Sequence, residues 1–236
     1  MADAQNNLIH RRTLIPNGLT FRSDRADAGS PTEFVRSSDT WFRPVNFLNA
    51  PDGALFVLDM SREVLESIHI PDDVVPFLDL RRGRDQGRIY RIAPEGAPAT
   101  AFPRLGDLAT AELVQRLTSP HGWIRDTAHR LLFERQDKSA VDPLRRLLAG
   151  SPMPQSRIHA LWSLEGLGAL TTADLTAAMA DRSPQAREHA VQLGARRLAL
   201  AAEPELVESL LARAEDEAIR VRFQVALALG EMPRHP

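Results

Sequence analysis

Four arginines recur along the C-terminal half, each with a small or apolar residue three positions on: Arg125/Ala128, Arg157/Ala160, Arg187/Ala190 and Arg222/Val225. Their spacings are 32, 30 and 35 residues. A guanidinium is a planar fork of donors matched to carboxylates and backbone carbonyls. A row of them is either a basic recognition surface or a set of ties, each holding the turn between two helices. The way repeat arrays hold together favours ties. His159 and His189 each lie two residues after a repeat arginine. A shared metal would need both nitrogens within ~2.1 Å of one ion, whereas stacked helices sit ~8–10 Å apart. These histidines therefore read as solvated or hydrogen-bonded groups, and no metal site is expected. The chain has no cysteine, which excludes a disulfide, a thiolate site and a thioether-linked haem within these residues. No Ser/His/Asp arrangement, His-Glu-x-x-His or phosphate-binding glycine loop occurs, so no catalytic residue is assigned.

The elements that would carry the arginines follow from hydrophobic period. Helical patterns come in pairs: 110–117 with 123–134, 141–148 with 157–167, 173–179 with 186–198, and 204–214 with 219–229. A recurring helix-turn-helix unit of this size is the signature of an α-solenoid. The run Asp181-Arg182-Ser183-Pro184-Gln185-Ala186-Arg187 resembles the HEAT consensus: an aspartate in the turn, Ser-Pro opening the second helix, then the arginine. Proline suits a helix start, where its missing N–H would have had no partner. Leu131, Leu132 and Phe133, and Leu161, Trp162 and Leu164, read as apolar stripes for neighbouring repeats to bury, with Trp123 and Trp162 as core.

Before residue 95 the patterns change to strands and turns. Ala50-Pro51-Asp52-Gly53 is a turn signal, followed by an apolar run of strand length over 54–59. Arg88-Ile89-Tyr90-Arg91-Ile92 alternates as a half-buried strand should. Asn7-Leu8-Ile9-His10-Arg11 is a shorter piece of the same kind, 23–32 and Pro71-Asp72-Asp73 read as loops, and 64–68 as a short helix or an insertion. The expectation is an α+β chain in two parts: strands over 1–95, a proline-rich linker at 96–103, and a HEAT-like solenoid of about four helix pairs over 104–236.

The ordered motifs Ser38-Asp39-Thr40-Trp41-Phe42-Arg43-Pro44-Val45-Asn46-Phe47, Ala50 to Met60, and Gly83-Arg84-Asp85-Gln86-Gly87-Arg88-Ile89-Tyr90-Arg91-Ile92 carry a family resemblance. Together with the helical array they resemble the final propeller blade and HEAT region of planctomycete-type membrane-bound dehydrogenases, similar in turn to glucose/sorbosone dehydrogenases. The resemblance implies that 1–95 is part of a β-propeller and that the parent is a periplasmic, quinone-dependent sugar dehydrogenase using pyrroloquinoline quinone and calcium. It departs at Ser61, where the family has tyrosine, and at Ser67 after Glu66, where it has histidine. By the same resemblance Arg43 and Asn46 lie on the innermost strand, where Arg43 could meet a cofactor carboxylate or form a stitching salt bridge to Asp39 or Asp59. Asp39, Trp41, Asp59 and Arg62 form the polar surroundings of that channel. One open blade cannot close a ring. The expectation is therefore a fragment that is inactive alone, carries no cofactor, and needs the missing blades as partners. The other reading is a non-enzymatic scaffold binding a protein on its concave helical face. Arg125, Arg157, Asp181, Arg187 and Arg222 are then its structural ladder.

Composition sets outer bounds. The 236 residues are 43% hydrophobic and 25% charged, as suits folded units, and 29 basic residues against 31 acidic ones leave no basic stripe for nucleic acid. No apolar run approaches the ~18 residues of a membrane span. The first residues have no signal-peptide pattern, so the chain would be cytoplasmic if Met1 is its true start.

Overall fold

The computed structural model describes residues 1–26, 29, 32–65, 70–96, 101–201 and 203–231. It divides into two compact units, Met1–Pro103 and Arg104–Pro236.

The first unit is built from short antiparallel sheets. Strands β1 (Ala2–Asp3), β2 (Leu8–Ile9) and β5 (Val35–Arg36) pair in the order β1-β2-β5. Strands β3 (Arg12–Asn17) and β4 (Thr20–Arg25) form a hairpin closed by Gly18 at φ 62°. Strands β6 (Pro44–Asn49), β7 (Leu55–Asp59) and β8 (Arg88–Ile92) make the main sheet, with β7 central. The hairpin overturns the loop reading for Ser23, Asp24 and Arg25, which pair with Leu14, Thr13 and Arg12; of the rest of 23–32, Ala26, Gly29 and Thr32 belong to no strand, and 27–28 and 30–31 lie outside the described residues. Nearly all its side chains are exposed, so no hydrophobic alternation marks it, and its backbone ladder and glycine turn carry it. Of the 64–68 segment, 66–68 lie outside the described residues, as do 97–100 of the linker.

Strand β7 has apolar side chains on both faces. Val57 is buried with Ile9 and Phe42, and Val35, Phe47, Leu55 and Ile92 pack against them. On the opposite face Phe56 stands beside Leu48, and Leu58 beside Ile89. Leu48 is 51% and Ile89 69% exposed, so this second face lies open. A strand that is apolar on both faces is the pattern of a sheet covered on both sides.

The loop leading into β8 holds a position only glycine fits. Gly83 has φ 89°, and a Cβ there would lie 2.4 Å from the Ser61 carbonyl oxygen. Gly83→Ala should therefore cost about 2–3 kcal/mol, because a left-handed backbone and a backbone clash act together. Gly87→Ala, where a Cβ would sit an ordinary 3.6 Å from the Asp59 carbonyl, should cost far less. Amide exchange of β7 in the two variants measures the contrast.

The second unit contains, among the described residues, eight α-helices: α1 (Thr110–Arg116), α2 (Gly122–Arg135), α3 (Val141–Gly150), α4 (Pro154–Gly166), α5 (Thr172–Met179), α6 (Pro184–Leu198), α7 (Pro204–Leu211) and α8 (Ile219–Glu231). Proline at the first position opens α4, α6 and α7. Thr171 and Asp174 form a capping box at α5. The second helices α2, α4, α6 and α8 stack in sequence. One core runs through the array, with Leu113, Leu132, Leu144, Leu164, Leu175, Leu206 and Leu210 at most 2% exposed. Trp123 and Trp162 are only half-buried, and Phe133 is 54% exposed, lying over Gly166. Trp123 and Trp162, which read as core in sequence, still pack against this core, whereas Phe133 of the first apolar stripe stays at the surface.

Candidate functional site

Each repeat arginine is anchored in the same way. Its Nη1 donates to the carbonyl six residues earlier: Arg125 to Ser119 (2.8 Å), Arg157 to Ser151 (2.7 Å), Arg187 to Asp181 (2.8 Å) and Arg222 to Asp216 (2.5 Å). The rest of the fork reaches into the next repeat. Arg157 donates through Nε and Nη2 to both oxygens of Asp181, at 2.7 Å each. Arg187 does the same to Asp216, at 2.8 Å each, and Nη2 also meets Glu217 at 3.3 Å. The carboxylate partner is always the turn residue six before the following arginine. Arg157 and Arg187 are 3% and 6% exposed, so these guanidiniums offer no basic surface.

Burial pushes the Asp181 and Asp216 carboxyls up, but the arginine hydrogen bonds, the Ser183 and Ala218 backbone N–H groups and the arginine charges outweigh it. Both are held below the ordinary carboxylate range. Each also closes the turn before the second helix of its repeat, accepting from the N–H two residues on, Ser183 and Ala218.

The first rung is incomplete. The turn residue facing Arg125 by this register is Ser151, and Arg125 Nε is buried with no hydrogen-bond partner among the described residues. Ser151→Asp should supply the missing carboxylate and raise stability by about 1 kcal/mol. Urea midpoints check this: the gain should appear in the native background and vanish when Arg125→Met is added.

Along the second helices runs a row of imidazoles. The rings of His129 (α2) and His159 (α4) are 5.5 Å apart, and His129 Nδ1 lies 2.8 Å from the Ser163 hydroxyl. His159 Nε2 is 3.6 Å from Asp126. His189 (α6) accepts a hydrogen bond from the Trp162 indole N–H at 3.2 Å, and Arg196 lies over the same indole at 5.0 Å. Burial, with the neighbouring His129, lowers His159 to about 4, and burial lowers His129 and His189 as well. The row is therefore neutral near pH 7. His129 escaped the sequence reading because it falls four residues after its arginine rather than two. Among the described residues no group of three or more His, Asp or Glu is placed to hold a metal ion, and no helix is long and apolar enough to cross a membrane.

In the first unit the polar side chains converge on Asp59. Its buried carboxylate accepts from the backbone N–H of Arg43 (2.7 Å) and Ser61 (2.9 Å), and from Arg88 at 3.0 and 2.9 Å. Arg88 also reaches Asp39 (3.1 Å), which accepts from the Trp41 backbone N–H. The stitching salt bridge thus comes from Arg88 and not from the Arg43 side chain. Arg43 donates instead to four carbonyls, those of Arg62, Ala4, Gln5 and Glu63, at 2.9–3.1 Å. Arg62 itself hydrogen-bonds the Arg81 carbonyl, and Trp41 is stacked under Arg82 at 5.4 Å. Asn46 stands apart on exposed β6 beside a bulge, its side chain accepting from Phe47 N–H. The group holds loops to the sheet. Arg43, with every nitrogen engaged on backbone, has no free fork for a carboxylate.

Residues 1–96 match a family described as a domain of unknown function (DUF7133), and residues 110–194 match HEAT repeats. Helices α1 to α5 and most of α6 lie within the HEAT match. The arginine rungs extend the same HEAT geometry past residue 194, since Asp216 and Arg222 repeat the tie made by Asp181 and Arg187. No curated protein matches the chain. Neither family description carries a catalytic activity.

Proposed function

We propose that this chain is a protein-interaction scaffold whose HEAT array presents one face of its second helices to a partner protein. The bidentate rungs support this, because they fix consecutive repeats to one another and leave the same helix positions outward in each. Counting from the repeat arginines, the positions one and five residues on are Asp126 and Arg130, Ile158 and Trp162, Glu188 and Gln192, and Phe223 and Leu227. All eight are half-buried or exposed. Phe223 is 47% and Leu227 45% exposed, so the face alternates between polar pairs on α2 and α6 and apolar pairs on α4 and α8. An extended surface of mixed apolar and polar positions on a rigid stack suits recognition of another protein. A photo-crosslinking residue placed at Gln192 or Leu227 in the producing cell should capture one discrete adduct. The same residue at exposed Glu208 on α7 should capture none. Equal labelling from both faces, or none from either, would contradict the proposal.

A second reading concerns the first unit. The open apolar face of β6–β7–β8 favours a sheet that packs between others, as a blade does in a propeller. On that reading the unit is the last blade of a periplasmic sugar dehydrogenase, and pyrroloquinoline quinone and calcium belong to blades outside residues 1–103. The chain alone should then reduce no artificial electron acceptor when given the quinone, calcium and a panel of sugars. Sugar-dependent dye reduction above the protein-free blank would overturn that.

A further inference from the structure

The incomplete first rung adjoins a groove whose positive charge is unanswered. Helices α1 and α3 flank a groove of about 600 Å³, walled by Val114, Pro143 and Leu147, with Arg146 and Ser151 among its polar residues. The groove one repeat on, between α3 and α5, is of similar size at about 570 Å³. Its arginines are paired: Arg145 meets Asp174 at 3.3 Å, and Arg157 holds Asp181 through two hydrogen bonds, all four residues lining that groove. Among the described residues no acidic side chain lines the first groove, and Arg146 there is exposed with no ion pair. Ser151 stands in its wall at the place that Asp181 takes in the next. The Ser151 hydroxyl accepts from Met153 N–H at 3.3 Å, and its own proton has no acceptor among the described residues. Arg125, which Ser151 faces in the ladder, uses only Nη1, on the Ser119 and Pro120 carbonyls. Its Nε is buried without a partner and its Nη2 makes no hydrogen bond among the described residues. These are the two donors that Arg157 and Arg187 give to a carboxylate.

We propose that this groove binds a small carboxylic acid with an apolar body. The carboxylate takes the rung position, on the Nε–Nη2 edge of Arg125 with the Ser151 hydroxyl donating to it. The apolar body lies along Val114, Pro143 and Leu147. Charge complementarity specifies the ligand. The inner rungs show that this edge of the guanidinium takes a carboxylate with both oxygens engaged, and Arg146 adds a second cation that has no carboxylate of its own. An apolar wall with a few convergent polar groups, at this volume, is the form of a small-molecule site. The rung lies between two described repeats, α1–α2 and α3–α4. The site shares no residue with the eight positions of the second-helix face, so the crosslinking test and the test below fail independently.

Two probes separate the seat from the groove: formate, a carboxylate with no body, and hexanoate, which adds an apolar chain. Each is titrated into the intact chain and followed by NMR on the Arg125 Nε–H resonance, assigned by its loss in Arg125→Met. Both should shift that resonance and saturate. Hexanoate should bind at least about tenfold more tightly, because each buried methylene contributes about fourfold. Ser151→Asp fills the rung from within and should abolish the response to both. Ala111→Trp fills the groove and leaves the rung intact, so it should bring hexanoate down to the affinity of formate and leave formate unchanged. An unmoved Arg125 resonance, or a shift that never saturates, would overturn the proposal. So would an equal response in Ser151→Asp, or hexanoate binding no tighter than formate.

Discussion

Arg187→Ala should destabilise the helical unit by about 3–5 kcal/mol, the cost of breaking a buried ion pair by removing one partner. Three losses combine. Asp216, whose side chain is 2% exposed, would keep its charge with only Arg213 at 3.6 Å as a cationic partner. The Asp181 carbonyl would lose the Nη1 hydrogen bond. Repeats three and four would lose the tie that fixes their relative placement. Arg187→Lys should recover only part of this, since an ammonium cannot engage both carboxylate oxygens in the plane that the fork does. Denaturant unfolding followed by far-UV circular dichroism measures both. Arg130→Ala serves as the contrast. Its pair with Glu134 is a surface pair in which both side chains are at least half exposed, and it should cost well under 1 kcal/mol.

Acid should weaken the same unit before its carboxylates titrate. His159 is held at about 4, below the ordinary value of 6.5, by burial first and by His129 second. The unfolded chain therefore takes up a proton that the folded chain refuses, and stability rises with pH where the unfolded state binds more protons. The contribution is complete above the unfolded value, and falls away as pH drops from about 6.5 toward about 4. Allowing for the part of the ring that meets solvent, His159 should account for about 2 kcal/mol of that loss. His129 and His189, lowered in the same direction, add to it. Asp181 and Asp216 act in a lower window: their depressed values stabilise the fold above the ordinary carboxylate range, and that stability goes only as pH falls through it. Urea midpoints of the native chain and His159→Gln across this range should converge at acid pH. Parallel curves would mean that the imidazole row does not carry the acid sensitivity.

The helical half was legible because one residue type at one spacing recurs, and because each arginine sits on a period that only a helix explains. The turn aspartate was visible at Asp181 through its Ser-Pro context. Asp216 was not, since Glu217 and Ala218 replace that context, although counting back six residues from Arg222 finds it. The same count exposes Ser151 as the odd member. In the strand half, the motifs located β6, β7 and β8, but not which side chains meet. Asp59 takes Arg88 from 29 residues away in sequence because β7 and β8 pair in a register that sets them opposite. Arg43 is drawn instead to the carbonyls of loops whose paths no local pattern encodes. The β3–β4 hairpin has no buried face, and so it left no periodic trace.

The central claim is that an arginine fork in one repeat and a turn aspartate in the next act as a single structural unit. A double-mutant cycle on Arg187→Met and Asp216→Leu tests it most directly, read as unfolding free energy from denaturant titration of the intact chain. Each single variant leaves a buried charge without its partner, and the double variant leaves none. The account predicts a coupling of about 2–3 kcal/mol, with the double variant less damaged than the sum of the singles. Strict additivity would show that the two residues stabilise the array separately, and that the ladder does not join its repeats.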